Sequence, residues 1–151
     1  MTNQAKTTSI EPARQTAPAL TAESLAHFHG SENFHRHQLS GMIYTDGVKH
    51  VAEAGQAYWL IDAIASYQRD RRLTGNEMLR DYQIWQLKVN ADKSAALTCK
   101  ADTNEPYAIT QEIEFTDFPL SAIKLTVDRG STYNAAGRAV PCMTLMLPSE
   151  R

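Results

Sequence analysis

At Asp81 the apolar residues change their period, and that change limits the folds open to this chain. Beyond it Trp85, Leu87 and Val89 alternate with Gln86 and Lys88, and after a polar turn at 90–93 Ala95, Leu97 and Cys99 alternate in turn. A second turn at 102–104 leads to Tyr107, Ile109, Gln111, Ile113 and Phe115 on one face, with Thr110, Glu112 and Glu114 on the other. After Pro119 come Ile123, Leu125 and Val127, then a turn at Asp128-Arg129-Gly130, a polar loop from Ser131 to Arg138, and a last alternation of Met143, Leu145 and Leu147. Alternation at period two marks half-buried strands joined by short turns.

Before Asp81 the period is helical. Thr21 is placed to cap a short helix with Leu25 and Phe28, ended by Gly30; Ser31 is placed to cap a second over Glu32–Leu39, closed by Gly41. Thr45-Asp46-Gly47 opens a helix with Val48, Val51 and Ala52 on one face. From Ala57 to Tyr67 the chain is apolar on nearly every side, which predicts a central, buried helix. It runs into Arg69, Asp70, Arg71 and Arg72, cations that suit a helix C-terminus, and Thr74 or Asn76 starts one further turn. Helices first and strands afterwards predict an α+β fold: N-terminal helices packed on one face of a C-terminal antiparallel sheet of about four to five strands, its other face in water.

Residues 1–20, rich in Thr, Ala, Gln and Pro, cannot bury enough apolar surface to offset their ordering entropy, so a disordered tail is expected there and a single domain over 21–151. Met1 to Pro18 has no apolar signal core and no segment is long enough to span a bilayer, which predicts a cytoplasmic protein. A formal charge of -2 argues against a nucleic-acid surface. Cys99 and Cys142 lie in separate apolar segments and read as buried, reduced thiols, with a single bridge the alternative.

Several stretches carry a family resemblance: Arg36-His37, Tyr44-Thr45-Asp46-Gly47-Val48-Lys49, Ala57-Tyr58-Trp59-Leu60, Asp62-Ala63-Ile64-Ala65-Ser66, Leu97-Thr98-Cys99, Thr116-Asp117-Phe118-Pro119-Leu120 and Leu147-Pro148-Ser149-Glu150. In this order they resemble a small bacterial family, a domain of unknown function associated with plasmids, phages and other mobile elements. The likeness runs from about Leu25 to the C-terminus, and the chain departs from the pattern in its longer N-terminal tail and in the loop Ser131–Arg138. It implies one domain of mobile-element origin and no catalytic residue.

Five histidines, His27, His29, His35, His37 and His50, fall in the first third. His-x-His chelates a metal on a strand but not on a helix, where the two rings point about 200° apart. A helical reading of both pairs, with no companion ligand motif, predicts no metal and no cofactor. Asp62 is the polar residue of most interest, a carboxylate inside the most apolar helix, where burial demands a partner. It either pins two elements together or, with His37, Tyr44, Asp46 and Tyr58, lines a small pocket. Tyr58, Trp59 and Trp85 read first as core and second as an aromatic platform.

With no nucleophile elbow, phosphate loop or dinucleotide fingerprint, the leading expectation is a non-enzymatic module that binds a protein partner. An inhibitor of a host or competitor defence system is one concrete version, and a homodimer is possible. The alternative is a small enzyme or small-molecule sensor built around Asp62.

Overall fold

The structure is a computed structural model that describes residues 19–29, 33–38, 40–133 and 135–151. Seven strands, β1 (Phe34–Arg36), β2 (Ile43–Thr45), β3 (Tyr82–Val89), β4 (Ala95–Lys100), β5 (Tyr107–Ile113), β6 (Ala122–Tyr133) and β7 (Ala139–Met146), join in one sheet ordered β1-β2-β7-β6-β3-β4-β5. Every pairing is antiparallel except β2 against β7, which is parallel and sets Ile43 beside Thr144 and Tyr44 beside Leu145. The helices are α1 (Ala22–Leu25), α2 (Asp46–Ala54), α3 (Tyr58–Tyr67), α4 (Arg71–Thr74) and α5 (Glu77–Asp81), with a 3-10 turn at Pro148–Glu150.

The expected sheet of four to five antiparallel strands under N-terminal helices is corrected on three points. The sheet has seven strands, it is mixed, and all but one of the helices lie between β2 and β3. The segment expected to be helical over Glu32–Leu39 contains β1, and Gly41 (φ 76) turns a hairpin instead of closing a helix. Three-residue strands are too short to display an alternation, so the glycine was read as the wrong kind of stop. Asp128-Arg129-Gly130 does not turn the chain either: β6 runs through it to Tyr133, in register with β7. Gly30, Ser31, Leu39 and most of the expected tail lie outside the described residues.

Other local expectations match. The Thr21 hydroxyl accepts from the Ser24 amide at α1, Thr45 caps α2 through the Val48 amide, and Asn76 caps α5. One expectation fails: the cations do not end the apolar helix, because α3 stops at Tyr67 and Arg71 and Arg72 open α4, capped by Asp70, which also holds the Arg72 guanidinium and has its carboxyl pulled down to about 2.

One face of the sheet carries the core. Trp85, Leu87, Leu97, Cys99, Ile109, Ile123, Leu125, Val127 and Leu145 are buried there with Leu60, Ile61, Ile64 and Ala65 of α3. The helix is buried along this stripe only; Tyr58, Asp62 and Ser66 are exposed, so it is not surrounded on all sides. Trp85, one of the aromatic-platform candidates, is core and packs beside Tyr67 at 5.6 Å between centroids. Both cysteines are free and buried, and burial pushes the Cys99 thiol up to about 12.

A buried amide stitches this core. Gln83 Nε2 donates to Gln68 Oε1 at 2.8 Å and to the Leu79 carbonyl at 3.0 Å. Its Oε1 accepts from Trp85 Nε1 at 2.8 Å and from Gln68 Nε2 at 2.9 Å. One side chain thus satisfies groups from α3, α5 and β3 in a dry environment. At the N-terminal start of α2, the buried Glu150 carboxylate accepts from the Thr45 hydroxyl at 2.6 Å, the Gly47 amide at 3.1 Å and the Leu147 amide at 3.0 Å. Residue 47 must be glycine for this approach, since a Cβ there would lie 2.6 Å from Glu150 Oε1.

Two substitutions test these networks by equilibrium denaturation. Gln83→Leu leaves the Trp85 N–H without its acceptor and should cost about 2 kcal/mol. Glu150→Ala strands three donors and should cost about 3 kcal/mol.

Candidate functional site

The hairpin of β1 and β2 carries His35 within β1 and His37 just past its end, two residues on, and each ring meets a different carboxylate. His35 Nε2 lies 2.9 Å from Asp46 Oδ1, and Asn33 Nδ2 donates to the other oxygen of Asp46 at 3.1 Å. The His35 hydrogen bond holds the Asp46 carboxyl below its ordinary value; burial pushes the other way, and Asn33 and Lys49 add smaller lowering contributions. Tyr44 packs on the His35 ring at 5.5 Å.

His37 Nε2 lies 2.8 Å from Asp62 Oδ1. On its other side Nδ1 is met by the Ser40 backbone amide at 3.2 Å and by Ser40 Oγ at 2.9 Å. The amide is always a donor, so Nδ1 must be the accepting nitrogen, and the neutral ring carries its proton on Nε2, donated to Asp62. Ser40 Oγ in turn accepts from the Met42 amide at 3.2 Å. The turn itself is closed by the His37 amide on the Met42 carbonyl at 2.7 Å and the Gly41 amide on the His37 carbonyl at 3.1 Å. Beside this line lies an open cavity of about 430 Å³, lined by His37, Ser40, Asp62, Ala65, Ser66 and Arg69.

Of the six candidate residues, His37 and Asp62 are joined directly, while Asp46 belongs to the neighbouring His35 pair. Asp62 is not buried as its apolar neighbours implied: its side chain is 69 % exposed, whereas that of His37 is 13 % exposed. Tyr58 is exposed and its phenol is raised, first by desolvation and then by Glu53 and Tyr44 nearby. Trp59 packs against the core. Neither Tyr58 nor Trp59 lines the cavity. Ser40 was not among the candidates; its signal is a serine three residues after a histidine, ahead of a turn glycine, which is legible only once that segment is known to be a hairpin. No group of three or more His, Cys, Asp or Glu side chains gathers among the described residues as a metal would need.

A second feature lies at the far edge of the sheet. β5 pairs with β4 alone, and no strand among the described residues covers its outer side. Tyr107 at its start is 54 % exposed and Phe115 just past its end 67 % exposed. Between 101 and 117 the chain carries Asp102, Glu105, Glu112, Glu114 and Asp117, all exposed, and no Lys or Arg. Of the cations nearby, Lys93 is exposed beside Thr116, Lys100 donates to the Thr103 carbonyl and sits over the Tyr107 ring, Arg72 is held by Asp70, and Arg71 is exposed. The opposite edge, β1, is only three residues long.

A family model described as a family of unknown function (DUF6876) matches residues 19–151. No curated protein and no solved structure matches the chain. Among the described residues no helix is long and apolar enough to cross a membrane.

The Asp46 pair has a pH signature. Its carboxyl is lowered in the fold, so its contribution to stability is present above the unfolded carboxylate's value of about 3.9 and is lost as pH falls through the lower folded value. Thermal unfolding of Asp46→Asn between about pH 5 and pH 3 should therefore show a shallower loss of Tm than the wild type.

Proposed function

The chain belongs to the DUF6876 family, for which no function is described, and we propose from its own geometry that it is a protein-binding module that takes up an extended basic segment along β5. The observation that carries the reading is the seven-residue edge strand Tyr107–Ile113, with no strand among the described residues on its outer side and exposed aromatic rings at its start and just past its end. An uncovered strand of this length offers a row of backbone donors and acceptors as a template for one more strand. The rings of Tyr107 and Phe115 supply the apolar area that backbone pairing lacks.

Charge selects the occupant. The five carboxylates of 101–117, without a cation among them, favour a partner strand carrying Lys or Arg. They also oppose a second copy of this chain, which would bring the same acids face to face across the new ladder. This reading therefore prefers a different protein over a homodimer. Inhibition of a defence system is its concrete version, and that detail rests on the resemblance to proteins of mobile elements.

Affinity capture from a bacterial lysate, compared across variants, tests it. The wild type should retain one stoichiometric protein. The double variant Tyr107→Ser with Phe115→Ser should weaken that retention by about 2 kcal/mol, roughly 30-fold. Glu112→Lys with Glu114→Lys should abolish it, and Phe34→Ser on the opposite edge should leave it intact. Equal retention by all four proteins would remove β5 as the surface, and no retained partner for the folded wild type would remove the reading.

A further inference from the structure

The line Asp62–His37–Ser40 holds chemistry that strand pairing on β5 does not use. Asp62 Oδ1 takes the Nε2 proton at 2.8 Å, and the Nδ1 lone pair is shared between Ser40 Oγ at 2.9 Å and the longer contact from the Ser40 amide at 3.2 Å. A hydroxyl, an imidazole and a carboxylate in one hydrogen-bonded row are recognised by geometry and role and not by sequence position. Here Nδ1 faces the serine and Nε2 the carboxylate, an order made possible because His37 and Ser40 share one tight turn.

That turn preorganises the serine. The left-handed Gly41 (φ 76), the Gly41 and His37 amides and the Met42 amide on Oγ hold Ser40 in place without help from a ligand. The hydroxyl lies at the cavity of about 430 Å³, whose lining contains a single cation, Arg69.

We propose that Ser40 is an acyl-accepting nucleophile, with His37 as its general base and Asp62 as a positioning residue, acting on small activated esters whose acyl chain carries a carboxylate paired by Arg69. Ser40 Oγ attacks the acyl carbon while its proton passes to His37 Nδ1. The bond from the acyl carbon to the leaving oxygen breaks, and the leaving alcohol takes the proton from Nδ1. Water then repeats the sequence, returning a carboxylic acid and the free serine. The imidazolium formed between the two transfers faces Asp62, its negative partner. Activated esters are specified because the Gly41 and Met42 amides are already engaged, so the tetrahedral oxyanion must be made accessible by a good leaving group.

The full chain is incubated with para-nitrophenyl acetate and with the mono-para-nitrophenyl ester of glutaric acid, and acylation is read by nitrophenol release and by peptide mass spectrometry. The expected result is an acyl adduct on Ser40, formed faster with the anionic ester. His37→Ala should slow it about 100-fold, and Ser40→Ala should remove both the adduct and the fast phase. Arg69→Gln should erase the preference for the anionic ester. Asp62→Asn should lower the rate of adduct formation, and Asp62→Glu should restore part of it, because the carboxylate acts by holding the Nε2 proton of the ring. Variants are compared only where their circular dichroism and Tm show a folded protein. An unmodified Ser40, or a Ser40→Ala variant that releases nitrophenol as fast as the wild type, would overturn the proposal and leave these bonds as a lock on the hairpin.

Discussion

The Glu150 carboxylate is the contact on which the arrangement of this molecule hangs. It gathers a hydroxyl from the end of β2, an amide from the first turn of α2 and an amide from the end of the last strand. A buried carboxylate survives because each approach offers a donor, and hydrogen bonds to a charge are about twice as strong as neutral ones. By fastening β2 to the C-terminal end of β7, it decides where the β1–β2 hairpin sits and where α2 begins. His35 and His37 therefore meet Asp46 and Asp62 through a residue that touches none of them. The glycine at 47 belongs to the same constraint, since only a missing side chain lets the carboxylate reach the helix start.

How far the sequence could be read follows from how local each signal is. The strands β3, β4, β5, β6 and β7 were legible because each carries at least three apolar residues in alternation, enough to separate a period of two from one of 3.6. The hairpin was not, because β1 and β2 are three residues long and are specified by partners far along the chain: Thr144 and Leu145 for β2, Asp46 for His35 and Asp62 for His37. The burial expected for Asp62 fails. Its flanking apolar residues fill the stripe facing the sheet, while Asp62 itself points outward to the hairpin. Gln83 escaped notice because its position in the strand is a core position and its chemistry is polar, a combination that makes sense only after Gln68, Leu79 and Trp85 are assembled around it.

Helix α3 joins the candidate cavity to the edge strand β5. Its outward side supplies Asp62 to the hairpin, and its last residue, Tyr67, donates its hydroxyl to Gln111 of β5 at 2.6 Å. The same tyrosine rests on Trp85, so the helix is registered against the middle of the sheet and against its edge together. The cavity and the open strand are thus built on one rigid element, while the groups that act in each come from separate parts of the chain.

The parallel pairing of β2 with β7 has a consequence for the order in which the protein can be assembled. Residues 43–45 emerge during synthesis well before residues 144–145, and until those later residues appear the hairpin has no sheet edge to join. The strands β3 to β6 can pair with near neighbours as they are made. The hairpin, with His37 and Ser40 at its turn, must wait for the final strand. The row of histidine, serine and aspartate is therefore seated on the sheet only once β7 has been made.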